Sequence, residues 1–464
     1  MQSAGIRLRA RPFTRGTERL SPVDLRSLLR PPERVVTAWD MDIDIDHLES
    51  LIAVEGDSDY AVGIGGGSAR AAAPHGQHNR HNRNNPHNRH NGHNRHNGHD
   101  RHDRRHGRDK HHRHDRRHEM SQPTRFAMCG AGWIARMHAR SIAAVPGAEL
   151  VAVHNHRRPS LEEFTADHPA PVATTDWDEF LAAVSGGAAD VAVVATPNAL
   201  HAPQSIALMR VGAHVLVEKP MAVSVQEARE MAAVAGETGR ALMTGHMWRF
   251  DPDARWLRRE IVAGALGRIV RTRSLSVHTW WGPSGWFQQR ELAGGGALAD
   301  MGVHSIDTTR YLIGDPRPVR VTARVGTHYG DYDVDDTAVL LIDWDDGATS
   351  QVEAGWWQVH SDGPEAATRL HGTRAFGSLF PTFVAREVSD PVSGAETLEQ
   401  RTPPPFERSE HCDPKLFEAQ IAHAAEVARD GIPPLNGPDV GLTAVRIMEA
   451  AYRSAHTGEE VTLP

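Results

Sequence analysis

The segment that most constrains this chain is Thr124–Ala144. A short apolar strand, Arg125-Phe126-Ala127-Met128-Cys129, runs directly into Gly130-Ala131-Gly132-Trp133-Ile134-Ala135. An amphipathic stretch from Arg136 to Ala144 follows and stops before Pro146-Gly147. Small residues at G-x-G-x-x-A spacing between a strand and a helix have separate uses. Gly130 permits the tight turn, Gly132 lets the backbone approach a pyrophosphate, and Ala135 lets helix and strand pack closely. A second strand, Glu149–Val153, returns at the distance of a βαβ unit. The pattern predicts a parallel α/β sheet that binds a dinucleotide at this turn, with Trp133 and Ile134 beside it.

Further apolar runs mark the rest of that sheet. Asp190–Ala195 is continuous, as a parallel strand buried on both faces must be, and ends in Thr196-Pro197-Asn198 with His201 shortly after. Ala213–Val217 ends in Glu218-Lys219-Pro220, and Ala241–Met243 leads to Thr244-Gly245-His246. Carboxyl ends of strands in an open α/β sheet face the ligand crevice. Thr196, Pro197, Asn198, His201, Glu218 and Lys219 are therefore expected around the cofactor. Twenty residues past Ala135, where an NAD-specific chain places a carboxylate on the ribose, stands Asn155, followed by His156, Arg157 and Arg158. With no carboxylate to repel a 2′-phosphate and two guanidiniums to bind it, NADP is favoured over NAD or at least accepted. The competing expectation is that Arg157 and Arg158 simply open the next helix as solvated side chains.

Charge is distributed unevenly along the 464 residues, a length that suggests two or three domains. From His75 to Glu119, a His/Asn/Arg-rich tract holds 12 Lys+Arg against 5 Asp+Glu, a local +7. A net charge of −8 therefore leaves −15 on the remainder. An acidic body argues against a nucleic-acid partner. The tract has almost no apolar side chain to offset the entropy of ordering and is expected to be disordered. Its imidazoles either collect Zn²⁺ or Ni²⁺ weakly or belong to a solvated linker, and no metal site is assigned. Two cysteines make no disulfide framework, and no apolar run is long enough for a membrane span or a secretory signal, so a cytoplasmic chain is expected. Before the tract, Tyr60–Pro74 resembles the strand, Gly-rich turn and helix of glycerol and iron-dependent alcohol dehydrogenases. Ala71 and Pro74 stand where that family has Asp and Lys, and the rest of its fold is absent. Residues 1–74 are read as a fragment-like extension, a remnant or an over-extended reading frame with Met120 as the natural start.

Chemistry concentrates at two later points. Lys219, at the mouth of the crevice and held extended by Pro220, supplies an ammonium that can hydrogen-bond a substrate hydroxyl. Gly294-Gly295-Gly296 precedes a predicted helix on which Asp300 and His304, four apart, share a face, with Asp307 three further on. A carboxylate beside an imidazole fixes its tautomer and raises its basicity. His304 is then a candidate general base for alcohol oxidation, or acid for carbonyl reduction. His246, Trp248 and Arg249 sit either near the substrate at a domain junction or in a packed hinge.

Four blocks, CGAGWIA, VVATPNALH, VLVEKPMA and GGGALADMGVHSID, in this order and spacing, resemble the glucose–fructose oxidoreductase / inositol dehydrogenase family of NAD(P)-dependent oxidoreductases, from about Arg125 to Pro464. The resemblance implies a Rossmann domain over 121–247 and an α+β substrate and oligomerisation domain over 248–464. The latter would contain a large, mostly antiparallel sheet through which homo-oligomers assemble. It also implies a cis Lys219–Pro220 bond and a catalytic trio of Lys219, Asp300 and His304. The residues of the second half agree with such a sheet. A helix over Ala254–Ala263 precedes strand-like stretches at Ile269–His278, Val319–Thr327, Thr337–Trp344 and Thr349–Trp357, and a last helix spans about Val440–Ser454. Trp280, Trp281, Trp286 and Phe287 either stack on a sugar or pack their own loop. The function expected is hydride transfer between NAD(P) and a secondary alcohol or ketone of a sugar, cyclitol or similar polyol. The alternative is a non-catalytic NAD(P)- or sugar-binding regulator of the same fold.

Overall fold

The computed structural model describes residues 122–464, apart from 360–363, 390, 391, 393 and 407–412. The readings made for residues 1–74, for the tract at 75–120 and for Cys412 lie outside the described residues.

Six strands form the first sheet: β1 (Thr124–Cys129), β2 (Ala148–His154), β3 (Val172–Thr174), β4 (Val191–Val194), β5 (His214–Val217) and β6 (Leu242–Thr244). All pair in parallel, in the order β3-β2-β1-β4-β5-β6. Every residue of β4 is buried, as its unbroken valine and alanine run requires. The crossovers carry α1 (Trp133–Ala144), α2 (Arg158–Asp167), α3 (Trp177–Val184), α4 (His201–Arg210) and α5 (Val225–Thr238). Strand order reverses between β1 and β4, so the turns leaving those two strands face one crevice. Gly130 sits there with φ of 104°, and a Cβ on it would lie 2.2 Å from the Ala195 carbonyl oxygen. Only glycine lets the two turns approach so closely.

After α6 (Pro252–Val262), a second sheet is built from β7 (Ile269–Val277), β8 (Pro318–Gly326), β9 (Thr337–Trp344), β10 (Thr349–Gly355), β11 (Ala367–Gly372), β12 (Phe376–Leu379), β13 (Phe383–Ser389), β14 (Glu396–Arg401) and the short β15 (Val461–Thr462). Their order is β14-β13-β12-β11-β7-β10-β9-β8-β15. The β7–β10 pair is parallel and the others are antiparallel, which matches the expected mostly antiparallel sheet. In β9, buried Ala338, Leu340 and Ile342 alternate with exposed Val339 and Leu341, so one face is core and the other is open. The core face packs on α7 (Val303–Leu312), where the Ser276 and Ser305 hydroxyls meet at 2.8 Å.

Two helices complete the chain, α8 (Pro414–Asp430) and α9 (Pro438–Thr457). Sequence reading placed α9 correctly but passed over α8 and the four strands β11–β14. Helix α8 shares a hydrophobic cluster with the first sheet, its Ile421, Ala424, Ala425 and Val427 joining Phe126, Met128 and Leu216. Helix α6 begins two residues earlier than expected because the Asp251 carboxylate caps the Asp253 and Ala254 N–H groups. No helix of the described residues is long and apolar enough to cross a membrane.

Candidate active site

A cavity of about 220 Å³ opens at the carboxyl ends of the first sheet, between it and the turn that follows the glycine triplet. Of the residues expected around a cofactor, Trp133, Ile134, Thr196, Asn198, His201, Glu218 and Lys219 line it. Gly130, Gly132, Ala135 and Pro197 shape the turns behind. Asn155, His156 and Arg157 stand at the end of β2 instead, where the Asn155 amide donates to the Arg157 carbonyl at 3.0 Å and His156 and Arg157 are exposed. The turn itself fits a pyrophosphate. Gly132 caps α1, no side chain satisfies that helix end, its first turn has no acidic residue, and a Cβ on Gly132 would meet nothing within 4 Å. The dipole of this helix end, opposed by no acidic side chain of its first turn, favours an anion there.

Lys219 leaves β5 through a cis bond to Pro220, as the resemblance implied. Its Nζ donates to Asp300 Oδ1 at 2.9 Å and to the Asp300 carbonyl at 3.0 Å. The other Asp300 oxygen accepts from Trp356 Nε1 at 3.1 Å and lies 3.7 Å from His278 Nε2. Burial alone would lower the Lys219 pKa, but the Asp300 carboxylate, followed by Glu218 and Glu365, outweighs it and holds the ammonium above its ordinary value. Burial would raise Asp300, yet the Lys219 charge and the His278 contact hold its carboxyl far below the usual range. At the other end of the lysine, Glu218 Oε2 accepts the Lys219 N–H at 3.1 Å, and Glu218 Oε1 lies 2.7 Å from His138 Nε2. His138 is fully buried on α1, so the helix that begins at Gly132 is tied through one carboxylate to the lysine.

The glycine triplet is held by Asp335. Its carboxylate accepts the Gly296 and Leu298 N–H groups at 2.8 Å each and the Tyr452 hydroxyl at 2.7 Å. A Cβ on Gly296 would fall 1.8 Å from the Asp335 carbonyl oxygen, so this approach excludes any side chain. The chain then makes one π-helical turn, Leu298–Gly302, before α7 begins. Such turns are frequent at functional sites. This one carries Asp300, and α7 carries His304 and Asp307.

The expected pairing of Asp300 with His304 is not made. Both Asp300 oxygens are taken by donors stronger than a neutral imidazole, a full ammonium charge and an indole N–H. The carboxylate facing His304 is Glu365, with Nε2 and Oε1 3.5 Å apart, and Glu365 Oε1 also accepts from Trp248 Nε1 at 2.8 Å. Burial lowers the His304 pKa below its ordinary value, and the Glu365 charge offsets only part of that. His304 Nδ1 is buried with no hydrogen-bond partner among the described residues. The imidazole is therefore neutral at pH 7 and able to accept a proton.

One turn further, Asp307 takes the Arg249 guanidinium, Nε at 2.9 Å and Nη2 at 2.8 Å, with His246 Nδ1 3.7 Å away. Arg249 and His246 are sealed in this hinge, and burial pushes His246 down to about 4. Trp248 differs, since its indole reaches Glu365 at the chamber wall. Of the loop aromatics, Trp281, Trp286 and Phe287 line the chamber, while Trp280 is 61% exposed and does not. Trp281 stacks on His278 with centroids 3.7 Å apart, and Trp286 stacks on Phe287 at 3.9 Å. His138, His278, Asp335, Trp356 and Glu365 escaped the sequence reading because none belongs to a spaced motif. A histidine on the buried face of α1 was the one available hint.

Known proteins with the same organisation extend this picture. Residues 124–246 match the model of the oxidoreductase family with an NAD-binding Rossmann fold, and residues 254–376 match the GFO/IDH/MocA C-terminal domain. The rhizopine catabolism protein MocA of Rhizobium meliloti is 30% identical over 329 residues, 70% of this chain and 93% of that protein. D-glucoside 3-dehydrogenase of Escherichia coli K12 is 29% identical over 361 residues, 74% of this chain and 98% of that one. The crystal structure of GenD2 from gentamicin A biosynthesis, in complex with NAD, superposes with a TM-score of 0.62 at 27% identity, covering 74% of this chain and 97% of that one. A dinucleotide turn, a lysine bonded to an aspartate, and a histidine on the helix after a glycine triplet thus sit on a scaffold shared along nearly the whole length of these relatives. The chain belongs to the GFO/IDH/MocA family and is an NAD(P)-dependent oxidoreductase.

Proposed function

We propose that the chamber moves a hydride between NAD(P) and a secondary alcohol or ketone of a sugar, cyclitol or similar polyol. One observation carries this reading: Lys219 Nζ and the His304 imidazole, from separate segments, open on the same cavity beside the dinucleotide turn. The name of the related glucoside dehydrogenase and the NAD held by GenD2 support it. When bound, the nicotinamide supplies the hydride acceptor or donor.

The chain's own groups manage position and the proton. In oxidation, the Lys219 ammonium donates to the reacting hydroxyl and lowers its pKa, while neutral His304 removes the hydroxyl proton. Glu365 stabilises the imidazolium that results. Asp300, fixed by Trp356, holds Nζ in place, and Asp335 holds the turn that carries Asp300. In reduction, His304 returns the proton. Trp281 and Trp286 offer flat faces to the C–H side of a ring.

In this reading residues 121–247 hold the dinucleotide and 248–464 the substrate, with α8 packed on the former. Arg157 and Arg158, with no carboxylate at the end of β2, admit NADP as well as NAD. The exposed Val339 and Leu341 face of the second sheet receives another copy of the chain, and the setting is cytoplasmic. A steady-state screen of aldoses, glycosides and cyclitols with NAD⁺ and NADP⁺ tests the function. At least one polyol is expected to yield reduced dinucleotide. Dinucleotide binding without turnover of any polyol, or of its ketone, would instead make this chain a regulator.

A further inference from the structure

A buried contact links the dinucleotide helix to the lysine. His138, in the second turn of α1, is fully buried, and its Nε2 lies 2.7 Å from Glu218 Oε1. The other Glu218 oxygen accepts the Lys219 N–H at 3.1 Å. A Cβ on Gly245 would fall 2.8 Å from Glu218 Oε1, so the carboxylate fills the space between α1, β5 and the turn after β6. Burial would raise the Glu218 pKa, but the His138 hydrogen bond, ahead of the Lys219 charge, holds it below its ordinary value. The carboxylate is thus an anion and only an acceptor, so His138 Nε2 carries a proton and donates. The other titratable groups that feel Glu218 are Lys219 beside it, His201 on α4, His246 beyond β6 and His304 on α7; burial lowers all three of these histidines. His138 Nδ1 is buried with no hydrogen-bond partner among the described residues, and the ring meets Phe417 edge-on at 5.5 Å. An apolar side chain would fill that place without an unpaired nitrogen, so packing alone does not account for a histidine there.

We propose that His138 is a positioning residue for hydride transfer: it holds the Glu218 carboxylate, as an anion, against Lys219, so that the helix carrying the dinucleotide at its head also fixes the lysine that meets the substrate. The inference rests on the hydride-transfer reading above. Glu218 is braced on both oxygens, by the α1 imidazole and by the backbone of Lys219 itself. Its charge joins that of Asp300 in opposing the effect of burial on the Lys219 ammonium. Without the imidazole N–H, the buried carboxylate either takes up a proton or turns away. In both cases Lys219 loses an anchor, and Nζ shifts from the reacting hydroxyl. A misplacement of about 1 Å at such a group costs about a hundredfold in rate.

The test uses the full chain, a polyol found active in the screen, and three variants. His138→Met removes the donor at similar volume, His138→Gln keeps an N–H donor, and Glu218→Gln removes the charge. Steady-state kinetics across pH give kcat and KM per folded molecule, and NADH fluorescence titration gives dinucleotide affinity. His138→Met should lower kcat about a hundredfold, with the NADH dissociation constant kept within about threefold. Its acid limb should move to higher pH, because burial then raises Glu218 unopposed by the imidazole N–H, and activity falls as that carboxyl protonates. His138→Gln should recover most of kcat and the natural acid limb. Glu218→Gln should match the kcat loss without moving the limb, and adding His138→Met to it should cost little more. A histidine that only packs would lower stability while leaving kcat and the acid limb intact, which overturns the proposal. So would losses that multiply in the double variant, a kcat kept in Glu218→Gln, or a loss confined to NADH affinity. Should His138→Met not fold, the kcat of Glu218→Gln still decides. If the natural protein turns over no polyol, the hydride-transfer reading falls and this role with it, whereas an active natural protein with unaffected variants refutes His138 alone.

Discussion

Asp300 and Asp307 each hold a buried cation, yet the two pairs do opposite work. Asp300 meets Lys219 at the chamber wall, their side chains 10% and 18% exposed, while Asp307 meets Arg249 where both are at most 2% exposed. The lysine is a point charge on a flexible stem that can shift as a proton moves. The arginine is a planar fork locked by two Asp307 oxygens, by Asp315 and by the Tyr311 ring at 5.0 Å. Two ion pairs on neighbouring turns are therefore separated into chemistry and architecture by access and donor geometry. The presence of charge does not distinguish them.

The comparison can be broken by removing one cation at a time. Lys219→Ala should lower kcat/KM by about a thousandfold or more while the dinucleotide dissociation constant stays within a few-fold, measured by steady-state kinetics and by NADH fluorescence titration. Unchanged turnover would remove Lys219 from the mechanism. Arg249→Met should do the reverse. Leaving Asp307 buried without its fork costs about 3–5 kcal/mol in denaturant unfolding, with kcat per folded molecule nearly kept. A folded, fully stable Arg249→Met protein without activity would mean that the hinge takes part in chemistry.

A smaller effect sharpens the Lys219 side. Oxidation needs neutral His304, so kcat/KM should fall as pH drops through a value below 6.5, the ordinary histidine pKa. Lys219 stays protonated past its ordinary 10.5 because Asp300 raises it. Asp300→Asn removes the main raising charge, so the alkaline loss of activity should move to lower pH. A pH–rate profile with the alkaline limb unmoved would show that Asp300 does not set the lysine's charge.

Local chain signals carried the first sheet well, because buried parallel strands read as unbroken apolar runs and the glycine spacing names the turn between them. The second sheet was legible as far as β10. Beyond it, β12 is four residues long with Gly377 inside it, and β14 is exposed at every position, so no alternation betrays either. Helix α8 did carry a periodic face, in Leu416, Phe417, Gln420, Ile421 and Ala424. Periodicity reports that a face is buried, not what covers it, and this one lies against strands near the start of the fold. The same limit applies to the site. Lys219, Asp300 and His304 were each visible from motif and spacing, but which carboxylate faces the imidazole is decided by tertiary approach. That approach brought Glu365, which has no motif, to His304 and gave Asp300 to Lys219. His138 and Asp335 were hidden for the same reason, since each acts through one long-range hydrogen-bonded carboxylate.

Hydride transfer itself is tested most directly with a polyol found active in the screen, deuterated at its reacting carbinol carbon. Mass spectrometry and NMR would then locate the label after oxidation. The label is expected to reside on C4 of the reduced nicotinamide, on one face, with none lost to water. Deuterium appearing in the solvent would instead mean that the chamber removes that hydrogen as a proton, and the roles given to Lys219 and His304 would be contradicted.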